Sequence, residues 1–208
     1  MTDEDIAQIN NLGYFPGSFD PLHDGHIEVI KVILQKKLCD AVFVYCVHGK
    51  SSWKQRSDFY KRTEYCESNL ASFDNVIISY LSVWEIQRRL TLKKRNSNHV
   101  ISKKAHITGI IGADIACNLE YRNGNPLIEQ KRLERQKDFM KGIFIDQVFE
   151  DSIACSIALP ADDFIVALRE NYKDIDIPDI VCGRPVHMII DSGIYRGVSS
   201  SKIKNVHM

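Results

Sequence analysis

A short apolar run, Leu12–Phe15, breaks abruptly at Pro16-Gly17, and helical spacing of apolar residues begins at Gly25. A strand, a glycine-bearing turn and a helix in direct succession constrain the fold more than any other stretch of this chain. The turn reads Phe-Pro-Gly-Ser-Phe-Asp-Pro-Leu-His-Asp-Gly-His-Ile over residues 15–27. It falls at the carboxyl end of the first strand, where open α/β sheets bind ligands. Gly17 allows the main chain to approach a ligand closely. A helix starting near Gly25 aims unpaired N–H groups and the positive end of its dipole at the same place, which suits an anion. His23 and His26 flank Gly25 and can donate hydrogen bonds to phosphate oxygens, stabilising charge that develops in phosphoryl transfer. Asp20-Pro21 reads equally as turn chemistry.

The rest of the chain continues this rhythm. Ile27, Ile30, Lys31, Ile33 and Leu34 are grouped on one helical face. Ala41–Val47 reads as a buried strand, 48–58 as a polar loop, and Phe59–Ala71 as a helix. Asn75–Leu81 and His106–Ile111, the latter ending in Gly112, read as further strands. The expected fold is α/β, a Rossmann-like parallel sheet with helices on both faces. Residues 129–141 predict an exposed charged helix. The expected organisation is one domain over 1–208 with an insertion at about 122–162.

Composition removes several alternatives. With 27 basic and 27 acidic residues the formal charge is zero, so no bulk attraction to nucleic acid or anionic membrane is expected. A basic cluster over 88–104 is read as a solvated face, and it lacks the interleaved aromatics of a nucleic-acid surface. Apolar runs are too short to span a bilayer, and the acidic N-terminus does not read as a secretory signal. The six cysteines form no Cys-x-x-Cys pair, which argues for free thiols in a reducing, cytoplasmic setting and against a zinc site.

Gly17, Phe19, Asp20, Pro21, His23, Gly25 and His26 together match Gly-x-Phe-Asp-Pro-x-His-x-Gly-His, and on them the chain resembles the HxGH nucleotidyltransferases. That family carries a second motif, Ile-Ser-Ser-Thr-x-Ile-Arg. Residues 198–204 resemble it as Val-Ser-Ser-Ser-Lys-Ile-Lys, with Lys204 where the family has arginine. Lysine keeps the charge but not the bidentate fork. Ile110-Ile111-Gly112-Ala113-Asp114 resembles the Ile-Ile-Gly-Ala-Asp segment of nicotinate/nicotinamide mononucleotide adenylyltransferases, and 164–172 resembles their strand ending in Arg-Pro-Gly-Tyr. The opening also resembles phosphopantetheine adenylyltransferase, and cytidylyltransferases share the HxGH core. Where the mononucleotide adenylyltransferases carry a tryptophan after Gly-Ala-Asp, Tyr121 or Leu119 stands nearby, and their Tyr-Thr-x-x-Thr-Leu segment is not found.

The resemblance implies catalytic roles for His23, His26 and Lys204. It implies nucleotide contacts at Gly17, Ser18, Phe19, Gly25, Gly112, Asp114, Ser199, Ser200 and Ser201. Substrate contacts would fall to Lys54, with Lys50 competing, and to Arg62 and Arg169. The implied reaction joins ATP to a phosphorylated small-molecule acceptor and releases pyrophosphate, with Mg²⁺ entering alongside ATP. Nucleic acid and membrane are not expected partners, and a homo-oligomer is left open. A nucleotide-binding protein with weak catalysis is the alternative of another class.

Overall fold

A computed structural model describes residues 8–47, 56–78, 105–117, 161–181, 184–191 and 193. They form a seven-stranded sheet in the order β3-β2-β1-β4-β5-β7-β6. The strands are β1 (Asn11–Gly17), β2 (Ala41–Cys46), β3 (Val76–Ile78), β4 (His106–Gly112), β5 (Asp163–Ala167), β6 (Ile180–Val181) and β7 (Arg184–Ile190). All neighbours pair parallel except β6, which runs antiparallel to β7 at the edge. Helix α1 spans Asp24–Gln35 and α2 spans Phe59–Leu70.

Period-two alternation along the strands builds the two faces. Phe15, Val42, Val44, Cys46, Ile110 and Ile165 face one way and are covered by Val29, Ile30 and Ile33 of α1 and Cys66 and Leu70 of α2. Leu12, Tyr14, Phe43, Tyr45 and Ile107 face the other way. On that second face the helical turn at 113–117 lays Ala113 and Ala116 against Phe164, Val166 and Leu168. Helices therefore flank the sheet on both sides, as the alternation predicts. Lys31 is not part of the buried face of α1. It is exposed, and Val29 fills that role.

The observed elements start and stop within a residue or two of the expected ones where both can be compared. β7 and β6 are additions that the sequence did not signal. The expected charged helix at 129–141 and the basic segment at 88–104 lie outside the described residues, as does all of the expected insertion except 161–162.

The order 3-2-1-4-5 reverses direction between β1 and β4, the switch point where such sheets open a crevice. The pairing of these strands confirms the opening. Their ladder ends at Tyr14↔Gly109, although β1 continues to Gly17 and β4 to Gly112. Further along, β1 stays paired with β2 through Gly17↔Cys46, and β4 with β5 through Gly112↔Ala167. The sheet thus parts between Gly17 and Gly112.

Where the ladder is intact, β4 has no room for a side chain at Gly109. A Cβ there would lie 2.6 Å from the Phe164 ring, which is wholly buried. Gly109→Ala should cost about 1–3 kcal/mol through overpacking, read as a lower urea midpoint with an unchanged m-value.

Candidate active site at the switch point

The turn after β1 is ordered by its own aromatic side chain. Phe19 adopts a positive φ of 42°, a conformation costly for a bulky residue. The benefit is burial: its ring is 1% exposed and meets Phe15 edge-on at 5.3 Å and His26 edge-on at 5.0 Å. Gly17 makes this possible, because a Cβ there would sit 2.8 Å from the tip of the Phe19 ring. The sequence suggested that Gly17 admits a ligand. In the structure its missing side chain admits Phe19.

His23 is the N-cap of α1 and His26 lies in its first turn. Their rings stack with centroids 3.6 Å apart and planes 23° from parallel. The backbone N–H of His23 donates to Nδ1 of His26 at 3.3 Å. A ring nitrogen that accepts cannot carry the proton, so the neutral His26 ring is protonated at Nε2. His26 therefore offers a fixed N–H donor at Nε2, held in place by Phe15, Phe19 and His23. Gly25 is buried between the two histidines, and Ser18 is half-buried at the turn's entry.

Three residues absent from the expected site hold this turn, Asp20 from within it and Arg56 and Ser57 from outside. Asp20, 4% exposed, accepts from the backbone N–H and the hydroxyl of Ser57, both at 2.7 Å. Arg56 donates from Nε to the Ser18 hydroxyl at 3.0 Å. Burial first, and then repulsion from Arg62, pulls Arg56 below the usual arginine range, with Asp20 opposing. Asp20 belongs to the quoted motif and so carried a signal, whereas Arg56 and Ser57 carried none.

Arg62 was expected at the substrate, and its observed partners are main-chain carbonyls. Nη1 donates to Ser18 O, Nη2 to Val47 O at 3.0 Å and Nε to Ser57 O at 3.0 Å. It is 4% exposed. One guanidinium thus ties the turn after β1 to the end of β2 and to the start of α2.

Across the crevice, Gly112 closes β4 and Asp114 follows in the next turn. A Cβ on Gly112 would collide with Oδ1 of Asp114 and lie 3.2 Å from Nε of Arg169. Asp114 and Arg169 meet at 3.5 Å, both partly exposed. The expected nucleotide contact Asp114 and the expected substrate contact Arg169 are therefore neighbours, one beyond β4 and the other beyond β5. Among the described residues, no three His, Cys, Asp or Glu side chains are grouped to hold a metal ion. Lys50, Lys54, Ser199, Ser200, Ser201 and Lys204 lie outside the described residues.

Arg62→Lys removes the fork that reaches three carbonyls at once. Leaving buried carbonyls unmatched should cost about 2 kcal/mol or more, measured by urea unfolding. Arg62→Lys matching wild type would show that the three bonds add nothing to stability.

Comparison with known proteins agrees with this geometry. No curated protein matches the sequence significantly. Among solved structures, the Plasmodium falciparum nicotinic acid mononucleotide adenylyltransferase complexed with NaAD is similar at a TM-score of 0.58 and 15% identity, over 94% of this chain and 83% of that one. The same enzyme complexed with APC is similar at a TM-score of 0.55 and 15% identity, with the same coverage. At that identity the likeness establishes the shared fold. The model of the cytidylyltransferase-like family matches residues 14–206, from within β1 through the second serine-rich motif. The stacked HxGH histidines and this match across nearly the whole chain place the protein in the cytidylyltransferase-like family of nucleotidyltransferases.

Proposed function

We propose that this nucleotidyltransferase moves the adenylyl group of ATP onto a phosphorylated acceptor, nicotinate or nicotinamide mononucleotide, giving a dinucleotide and pyrophosphate in NAD biosynthesis. The observation that carries the nucleotide half is the His23–His26 pair at the start of α1, beside the parting of β1 and β4. Supporting the choice of acceptor are the resemblance of Ile110–Asp114 to the segment of mononucleotide adenylyltransferases and the fold shared with the Plasmodium falciparum enzyme.

In this reading an acceptor phosphate oxygen attacks the α-phosphorus of ATP in line, and pyrophosphate departs. No covalent nucleophile is needed, and positioning with charge stabilisation supplies the rate. His26 donates from Nε2 to the phosphate where charge accumulates, and His23 shares the triphosphate with the N–H groups of the first turn of α1. Ser199, Ser200, Ser201 and Lys204 hold the β- and γ-phosphates. Asp114, 3.5 Å from Arg169, accepts from the ribose hydroxyls, while Arg169 and Lys54 serve the acceptor phosphate. Mg²⁺ arrives as part of the ATP substrate and is held by its phosphates and water. The setting is cytoplasmic. Among the described residues no helix is long and apolar enough to cross a membrane.

Pyrophosphate release from ATP or CTP, against nicotinate mononucleotide, nicotinamide mononucleotide and phosphopantetheine, tests the reading. Turnover is expected with ATP and a nicotinate or nicotinamide mononucleotide. Turnover confined to phosphopantetheine or to CTP would contradict it. His26→Ala should lower kcat by about 10²–10³. Because the Nε2–H donor is the part that acts, His26→Gln should recover some of that loss.

A further inference from the structure

Cys46 and Cys66 play no part in the chemistry above, yet their sulfur atoms lie 3.7 Å apart, each wholly buried. Both are free thiols. Cys46 ends β2 and Cys66 lies on the buried face of α2, 20 residues further along. Such a contact between a strand and the helix covering it needs only a small approach to reach the disulfide separation of about 2.05 Å.

We infer that Cys46 and Cys66 form an oxidisable dithiol whose closure is transmitted by Arg62 to the turn that carries His23 and His26. The two sulfurs are unlike. The contact with Cys66, in which either sulfur can donate, lowers Cys46 most; Thr63 and Arg62 lower it further, against its burial and Asp20. The same contact and burial push Cys66 up. A thiolate at Cys46 has Cys66 beside it, 3.7 Å away, to close the bond.

With hydrogen peroxide as oxidant, the Cys46 thiolate attacks one peroxide oxygen and expels hydroxide, which takes up the thiol's proton as water. The sulfenic acid formed is then attacked by Cys66. The S–S bond forms, the S–O bond breaks, and a second water leaves with the Cys66 proton. Two thiols lose two electrons, and the peroxide gains them. Entry requires local opening of α2, so the reaction is slow in the folded protein.

The connection to the site is short. Cys66 lies one helical turn after Arg62, on the same face of α2. Cys46 pairs in register with Gly17, and the next residue, Val47, donates its N–H to Gly17 O at 2.9 Å and its carbonyl accepts from Arg62. Drawing α2 toward the end of β2 therefore moves the guanidinium that holds Ser18.

The test uses the whole chain treated with hydrogen peroxide, with free thiols then blocked and the protein digested without reduction. A Cys46–Cys66 cross-linked peptide is expected, with an intact mass lower by about two units, the two hydrogens lost. Both cysteines remaining alkylated, or a link to other cysteines, would overturn the assignment. Hydrogen exchange reads the coupling without reference to catalysis. Oxidation should change protection of the amides from Gly17 to Asp20 and at Val47, dithiothreitol should restore it, and Cys46→Ala should show no response to peroxide. A bond that forms and leaves those amides unchanged would refute the link to the turn. The wild-type peptide map decides the pairing even if Cys46→Ala fails to fold.

Discussion

Arg62 ties together three connections that the sheet alone leaves loose. A parallel sheet fixes its strands through their ladders, but the segments leaving their carboxyl ends have no ladder to join. Here the turn after β1, the residue after β2 and Ser57, which precedes the N-cap of α2, each direct a carbonyl to one buried guanidinium. A planar cation with donors in fixed directions can serve all three at once, which an ammonium cannot. Asp20 and Ser57 close the same assembly from the other side.

That assembly keeps a strained turn in place. Phe19 holds a left-handed backbone because its ring fills the space left by Gly17 and supports His26. The histidines are thereby positioned by packing rather than by a loop free to move. Fixed donors cost no reorganisation when charge appears on a substrate, which is the advantage of a preorganised site. The parting of β1 and β4 adds the space beside them, bounded by Gly17 on one side and Gly112 on the other.

Much of this was legible from residue order, because it is local. Apolar periodicity located β1, α1, β2, α2 and β4, and the paired histidines marked the end of β1 as the candidate site. What was not legible depends on partners distant in sequence. Asp20 read equally as turn chemistry or as part of the site, and its side chain accepts from Ser57, 37 residues away. Arg62 was expected at the substrate from the family's arginine on the next helix, and its carbonyl partners are ones that only the fold assembles. β7 went unnoticed for a different reason. Its run opens with Arg184-Pro185, is interrupted by His187, and is only partly buried along most of its length, so no clean alternation marks it. Lys31 shows the limit of helical spacing, since a neighbouring valine took the core position assigned to it.

The central claim is that a nucleoside triphosphate rests on the first turn of α1 at the parting of β1 and β4. Backbone and histidine NMR shifts recorded during titration with Mg-ATP test it most directly. The account predicts the largest shifts at Gly17–Ile27, including the side chains of His23 and His26, with smaller ones at Gly112–Asp114. Saturable shifts that leave this turn untouched and fall elsewhere in the protein would contradict it.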